Sequence, residues 1–261
     1  MTDATLARGP RSPAAVRTLF RERPIIPLLG LLAILVILSQ VIRPGIVTLN
    51  WAGVMLRAAV PLAILAGCQT MTMLTAGIDL SVSAVASMSG FLVATLVNDT
   101  GLAVAILIAL AVSAIIGFVN GIGAGVFRVH PLIMTLGMSL VVLGLANWWQ
   151  LKRVQTGSGV PNEFRTLGGK LLADVIPVSL FVFIPLAVLV VLLLNRTGFG
   201  RLLYAIGDNP IAARLSGAKS WQVLTMLYAI SGVLAGIAGF LYSGLTNVAS
   251  VTLADTALLP S

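Results

Sequence analysis

An all-α, polytopic membrane helix bundle is the fold class predicted by three features of this chain. Hydrophobic residues make up 58% of it and charged residues only 9%, against about 25% charged in a soluble domain. Mean hydropathy is +1.06. The apolar residues gather into runs about twenty long, the length at which a helix crosses a bilayer, and most charges fall between the runs. The net charge of +8 does not signify a nucleic-acid partner, because the 16 basic residues form no single stripe and do not interleave with aromatics. The single cysteine, Cys68, lies inside an apolar run. It excludes an intramolecular disulfide and a cysteine-based metal site.

Scanning for apolar windows places spans near 25–42, 52–76, 80–97, 102–126, 132–149, 175–194 and 221–245, about seven crossings. The first, IIPLLGLLAILVILSQVI, is too long for a secretory signal and lacks a small-residue cleavage site, so it is a retained helix. Arg8, Arg11, Arg17, Arg21 and Arg23 precede it and place the N-terminus in the cytoplasm. Alternation then puts FRVH (127–130) and the loop 195–220 on the same side, the latter carrying Arg196, Arg201, Arg214 and Lys219. The segment 150–173 faces outside despite Lys152, Arg153, Arg165 and Lys170, a long loop being a weaker topological signal. The expected organisation is a basic cytoplasmic tail (1–24), a transmembrane domain (25–245) that includes the cytoplasmic loop 195–220, and a C-terminal tail (246–261).

Between the second and third spans the chain reads TAGIDLSVS (75–83), with Asp79 in a long uncharged run. Gly77 is expected to end one helix in a left-handed conformation. Asp79 is expected to cap the next through the amide of Ser81 or Val82, its charge favoured by the helix N-terminus. A break at this depth is tolerated where it lines a cavity or is buried in protein, and transporters use such broken helices. Proton relay is the other role open to Asp79. It would need partners, and the candidates are Arg57, better placed near a membrane face, and His130, better placed as a loop end beside Pro131. Gly117, Gly121 and Gly125 recur at every fourth position, and Gly232 and Gly236 do the same. Such faces let helices approach closely. Asn120, Thr135 and Asn147 offer neutral donors and acceptors suited to hydroxyl groups, with Trp148 and Trp149 as aromatic neighbours.

The loop 195–220 is too apolar for a free connector. Pro210 suits the first turn of a helix, Asn209 its cap and Gly217 its end. The stretch GRLLYAIGDNPIAARLSGAKSWQVLTMLYAISGVLAGIAG (200–239), with GIDLSV (77–82), VNG (119–121) and TLG (135–137), resembles the ribose-type permeases of ATP-binding-cassette importers over roughly residues 45–250. The resemblance implies that the loop holds a coupling helix that docks on a separate ATPase subunit. The matching positions are Gly200, Arg201, Gly207, Asn209, Ala212, Ala213, Ser216 and Gly217, with Ile211 standing where the broader importer motif has glutamate. Gly77, Asp79, Ser81, Asn120 and Thr135 would then mark the helix break and the translocation pathway. The implied partners are the ATPase, an extracytoplasmic solute-binding protein that could touch QTGSGVPNEFRTLGGK (155–170), a second permease copy and inner-membrane lipid.

No nucleotide site is expected in the chain. LGGK (167–170) has Phe164 where a phosphate loop has its first glycine and Leu171 where it has Ser or Thr. No cofactor, metal or covalent chemistry is expected, and ATP would be hydrolysed on the partner. Family members continue past the point where this chain stops at SVTLADTALLPS (250–261). A C-terminally shortened importer permease moving a small polar solute, foremost a monosaccharide such as ribose, across the inner membrane is therefore expected, with an ion-coupled carrier and a non-transporting remnant as the other readings. Sugar, nucleoside, autoinducer and branched-chain amino acid are all open as substrates.

Overall fold

A computed structural model of the protein describes residues 25–153 and 159–248. The basic tail and nearly all of the C-terminal tail lie outside the described residues. Residues up to Ala52 and residues from Gly53 onward form two compact units. In the first, α1 (Ile25–Ile42) is apolar all round and has no buried side chain, as a helix facing lipid requires. Its end is tied by Gln40 Oε1, which accepts from the Val47 amide at 3.1 Å. From Leu49 begins α2 (Leu49–Met73), whose continuation past Ala52 belongs to the second unit.

The second unit continues with α3 (Val82–Thr100), α4 (Leu102–Gly125), α5 (Pro131–Arg153), a short α6 (Asn162–Gly169), a hairpin of β1 (Leu171–Leu172) and β2 (Ile176–Pro177), then α7 (Leu180–Arg196), α8 (Gly198–Asp208), α9 (Pro210–Leu215) and α10 (Ser220–Thr246). Among the described residues six helices are long and apolar enough to cross a membrane, and α7 with α8, bent by 69°, makes a seventh if the pair counts as one span. Six of the seven predicted spans appear as helices of that length, and the window 175–194 is met by α7, which counts as a span only together with α8, a helix inside the residues expected as loop.

The centre of this unit is α3, α4 and α10. Residues Ala84 to Leu96 of α3 are buried without interruption, so its hydroxyls must find partners inside. Ser89 Oγ donates to the Gly236 carbonyl at 3.2 Å, and Thr95 Oγ accepts from the Trp149 indole at 3.0 Å. The most extensive helix contact joins α4 to α10, and it follows from small residues. A Cβ on Gly117 would overlap the Tyr228 carbonyl, and one on Gly232 would overlap that of Ser113. The glycine faces seen in the sequence are therefore packing faces. A single residue, Gly101 at φ +81°, turns α3 into α4, a conformation open to glycine at little cost.

The segment expected as an outer loop is largely structured. Phe164 of α6 stacks on Phe240 of α10 at 5.0 Å, and a Cβ on Gly168 would overlap the Leu241 carbonyl. The hairpin that follows closes through three residues, 173–175, of which Ala173 and Asp174 are at positive φ (48° and 57°). Arg57 of α2 donates to the Gly169 carbonyl, a cation at the negative end of α6. His130 is exposed beside Pro131 at the start of α5, in the loop-end role the sequence favours.

Candidate functional site

The chain between α2 and α3 is closed at each end by local hydrogen bonds. The Gly77 amide donates to the Thr72 carbonyl and the Ala76 amide to that of Met73, at 3.1 and 3.0 Å. This is the Schellman pattern, in which the residue one past the cap is left-handed. That residue is Ala76, at φ +56°, and not Gly77 as the sequence suggested. The reason is space, since a Cβ on Gly77 would sit 2.7 Å from Tyr228 Oη and 3.3 Å from the Thr72 carbonyl. The glycine is spent on a close approach and the alanine takes the strained backbone. Ala76→Gly should accordingly stabilise the fold by up to about 1 kcal/mol, whereas Gly77→Ala should lower it. Thermal unfolding of the two variants in detergent micelles measures both signs.

Residues 78–81 are held from three sides. Thr135 Oγ on α5 accepts from the Leu80 amide and lies 3.0 Å from the Ile78 carbonyl, to which it donates. Gln69 Oε1 on α2 accepts from the Asp79 amide at 3.3 Å. Asp79 is buried at 3% exposure. One of its oxygens accepts from the Ser81 amide at 3.0 Å and from Ser81 Oγ at 2.6 Å, and the other accepts from Ser231 Oγ of α10 at 3.4 Å. Asn120 of α4 donates to Ser81 Oγ at 2.8 Å. Each of these donors to the carboxylate is a neutral group, so the charge is spread over hydroxyl and amide dipoles. The arrangement is an Asx turn at Asp79 just ahead of α3, whose own N-cap, Ser81, has no side-chain cap bond, and it extends into a buried network joining α2, α4, α5 and α10. The predicted bond to the Ser81 amide forms without Asp79 being the cap.

All five residues predicted at the break thus come together: Gly77 against Tyr228, Asp79 on Ser81, Asn120 on Ser81, and Thr135 on the intervening backbone. Of these, Asp79 alone also lines the neighbouring cavity of about 360 Å³ between α2, α3 and α10. Asn120 and Thr135, at 0% and 1% exposure, are interior struts. Gln69, Tyr228 and Ser231 complete the site and were not singled out in the sequence, although a polar side chain inside an apolar span is itself a signal.

The residues assigned to the cytoplasmic loop divide between α8 and α9. Asn209 Oδ1 caps α9 by accepting from the amides of Ile211 and Ala212 at 3.1 and 3.0 Å, Ser216 Oγ donates to the Ala212 carbonyl at 3.0 Å, and Gly217 ends the helix at φ +86°. Ala212 is exposed, but Ala213 is buried in the core. The two alanines therefore face opposite ways. Gly200 packs on the Leu194 carbonyl and Gly207 on that of Leu74, each too close for a side chain. Arg201 is exposed, as are Ile211 at 70% and Leu215 at 84%.

Bundled apolar helices around a broken, internally hydrogen-bonded segment define a multi-pass helical membrane protein. The chain belongs to the family described as branched-chain amino acid transport system / permease component, which matches residues 52–259. It is similar to the fructose import permease protein FrcC of Rhizobium meliloti, at 32% identity over 76% of this chain and 57% of the relative. It is likewise similar to the autoinducer 2 import system permease protein LsrC of Yersinia enterocolitica (33% identity; 83% of this chain, 59% of the relative) and the ribose import permease protein RbsC of Bacillus subtilis (34%; 88% and 71%). The chain spans less than two thirds of the length of FrcC and LsrC. No solved structure matches it.

Proposed function

We propose that this chain is the transmembrane permease subunit of an ATP-binding-cassette importer in the inner membrane, moving a small polar solute, foremost a monosaccharide. The observation that carries the proposal is that the relatives matching most of this chain are named as import permeases, for fructose, ribose and galactose and in one case for autoinducer 2. In this reading two copies flank the pathway, an extracytoplasmic binding protein delivers the solute, and an ATPase docks from the cytoplasm on the exposed face of α9. The chain itself makes and breaks no covalent bonds. Its part is alternating access, with the hydrogen-bonded break between α2 and α3 as irregular backbone that survives at membrane depth because protein buries it.

Reconstitution with a candidate partner ATPase and binding protein tests the proposal. ATP-dependent uptake of a labelled monosaccharide that persists in the presence of an uncoupler is the expected result. Uptake without ATP that collapses with the uncoupler would establish an ion-coupled carrier instead. Orientation is tested separately in a Cys68→Ser background. A cysteine placed at Asp208 should react with an impermeant maleimide only from the cytoplasmic side, and labelling from outside intact cells would overturn the topology.

A further inference from the structure

We propose that the shallow pocket walled by Arg57 of α2, Arg165 of α6 and Lys170 holds the phosphodiester of an anionic phospholipid at the membrane surface. The proposal needs only that the chain lies in a bilayer, so it stands apart from the importer reading above.

The charges come first. The pocket, of about 570 Å³, lies between α2, α6 and the end of α10, within the size range of small-ligand sites. Among the described residues its walls carry these three cations and no Asp or Glu. Like charges gathered without a counter-ion repel, and an anion supplied from outside the chain relieves them. Arg57 shows the need most directly. It is half-buried, one of its amino groups donates to the Gly169 carbonyl, and its Nε is buried with no acceptor. The neutral carbonyl orients the guanidinium but leaves its charge unbalanced, with the other amino group, Nη2, as the donor left for a ligand. Asn162, Arg165 and Thr166, at i, i+3 and i+4, put one face of α6 on the same pocket. Phe164 and Gly168 fix the other side of α6 against α10, so the site is built on a held helix and not on a loose loop.

Depth favours a lipid over a soluble partner. Arg57 follows Leu49, the start of α2, by eight residues, about 12 Å of helix. With 25 residues, α2 is about 37 Å long against about 30 Å of hydrocarbon. The Arg57 backbone therefore sits below the headgroups, and its side chain reaches toward them. A lipid phosphate is already at that level, whereas a carboxylate on a soluble protein has to enter the headgroup layer. Met55 and Leu56, exposed at 47% and 44%, offer acyl chains an apolar surface beside the cation. The walls also choose the headgroup. The ammonium of phosphatidylcholine meets cations and no carboxylate here, while the glycerol of phosphatidylglycerol finds the neutral side chains of Asn162, Thr166 and Asn247. The guanidiniums of Arg57 and Arg165 match a phosphate with planar, charge-assisted donors.

The test places the full chain in mixed micelles with equimolar dioleoyl phosphatidylglycerol and dioleoyl phosphatidylcholine, and native mass spectrometry reads the lipid retained per chain. Phosphatidylglycerol should be retained over phosphatidylcholine by about fivefold or more, the factor that one basic residue near the surface contributes toward an anionic lipid. Arg165→Gln combined with Lys170→Gln should bring the ratio near one, whereas Lys152→Gln, outside the pocket, should leave it unchanged. Arg165 and Lys170 are exposed, so the double variant should fold, and gel filtration checks this. Should it aggregate, Arg165→Gln alone should lower the ratio at least twofold. Equal retention of the two lipids by the unmodified chain overturns the proposal, and so does a preference that survives the substitutions. Displacement of phosphatidylglycerol by millimolar inorganic phosphate makes this a site for a soluble anion and overturns the lipid assignment. Equal retention of the lipids together with binding of a fluorescent pentaglutamate peptide that the double variant loses assigns the pocket to an acidic protein instead.

Discussion

Asp79→Leu is expected to abolish ATP-driven uptake and to reduce the amount of folded protein, whereas Asp79→Asn is expected to retain both. The leucine removes the acceptor for three buried donors, the Ser81 amide, Ser81 Oγ and Ser231 Oγ. Each donor left unsatisfied costs about 1–3 kcal/mol, enough in sum to consume much of an ordinary stability margin. Asparagine keeps one oxygen for Ser81. Its amide nitrogen meets Ser231, whose hydroxyl accepts as readily as it donates. Yield of monodisperse protein and initial uptake rate, measured for both variants, test this. An inactive but well-folded Asp79→Asn, in a system whose uptake collapses with an uncoupler at constant ATP, would instead make Asp79 a proton carrier.

The second large effect lies on α9, where adjacent alanines should behave oppositely. Ala212 is exposed and Ala213 is packed in the core. Ala212→Glu should therefore leave folding intact while the ATPase no longer co-purifies, because a bulky charge blocks a face that small side chains leave open. Ala213→Glu should fail earlier, as an unpaired charge in the core prevents folding. Gly217→Glu tests the same interface less cleanly, since nothing surrounds a Cβ there but the backbone at φ +86° disfavours any side chain. Lys170→Glu, placed on the opposite side by the proposed topology, should leave ATPase association unchanged. Pull-down of the ATPase with each variant, against the unmodified chain, reads the result. Normal assembly by Ala212→Glu would remove α9 from the interface.

The spans were legible because hydropathy along a chain depends only on local composition, and α1 to α5, α7 and α10 lie close to their predicted windows. The bond from the Ser81 amide to Asp79 and the capping by Asn209 were legible for a similar reason, since each joins a side chain to amides two or three residues away. What was hidden depends on neighbours distant in sequence. Gly77 and Ala76 look interchangeable as a left-handed pair until Tyr228 is known to lie against Gly77. Ala212 and Ala213 read as one small face until the core behind α9 is in place. The helix α6 was taken for loop because two glycines and a short length hide a segment secured by Phe164 on Phe240. In α8 a signal did exist: Gly200, Leu203 and Ile206 are its buried residues, spaced by three as on one face of a helix.

The contact of Gly207 with the Leu74 carbonyl joins α8 to the residue just past α2 through main chain alone. Joints between side chains have slack, because rotamers can change and soak up a shift of an ångström. A glycine offers no such give. Asn209, one residue beyond α8, begins α9, and Leu74 stands two residues before the left-handed Ala76. A load applied to the short helix at the membrane face would therefore reach the turn that opens the break with little loss, in the manner of a rigid linkage and not a spring.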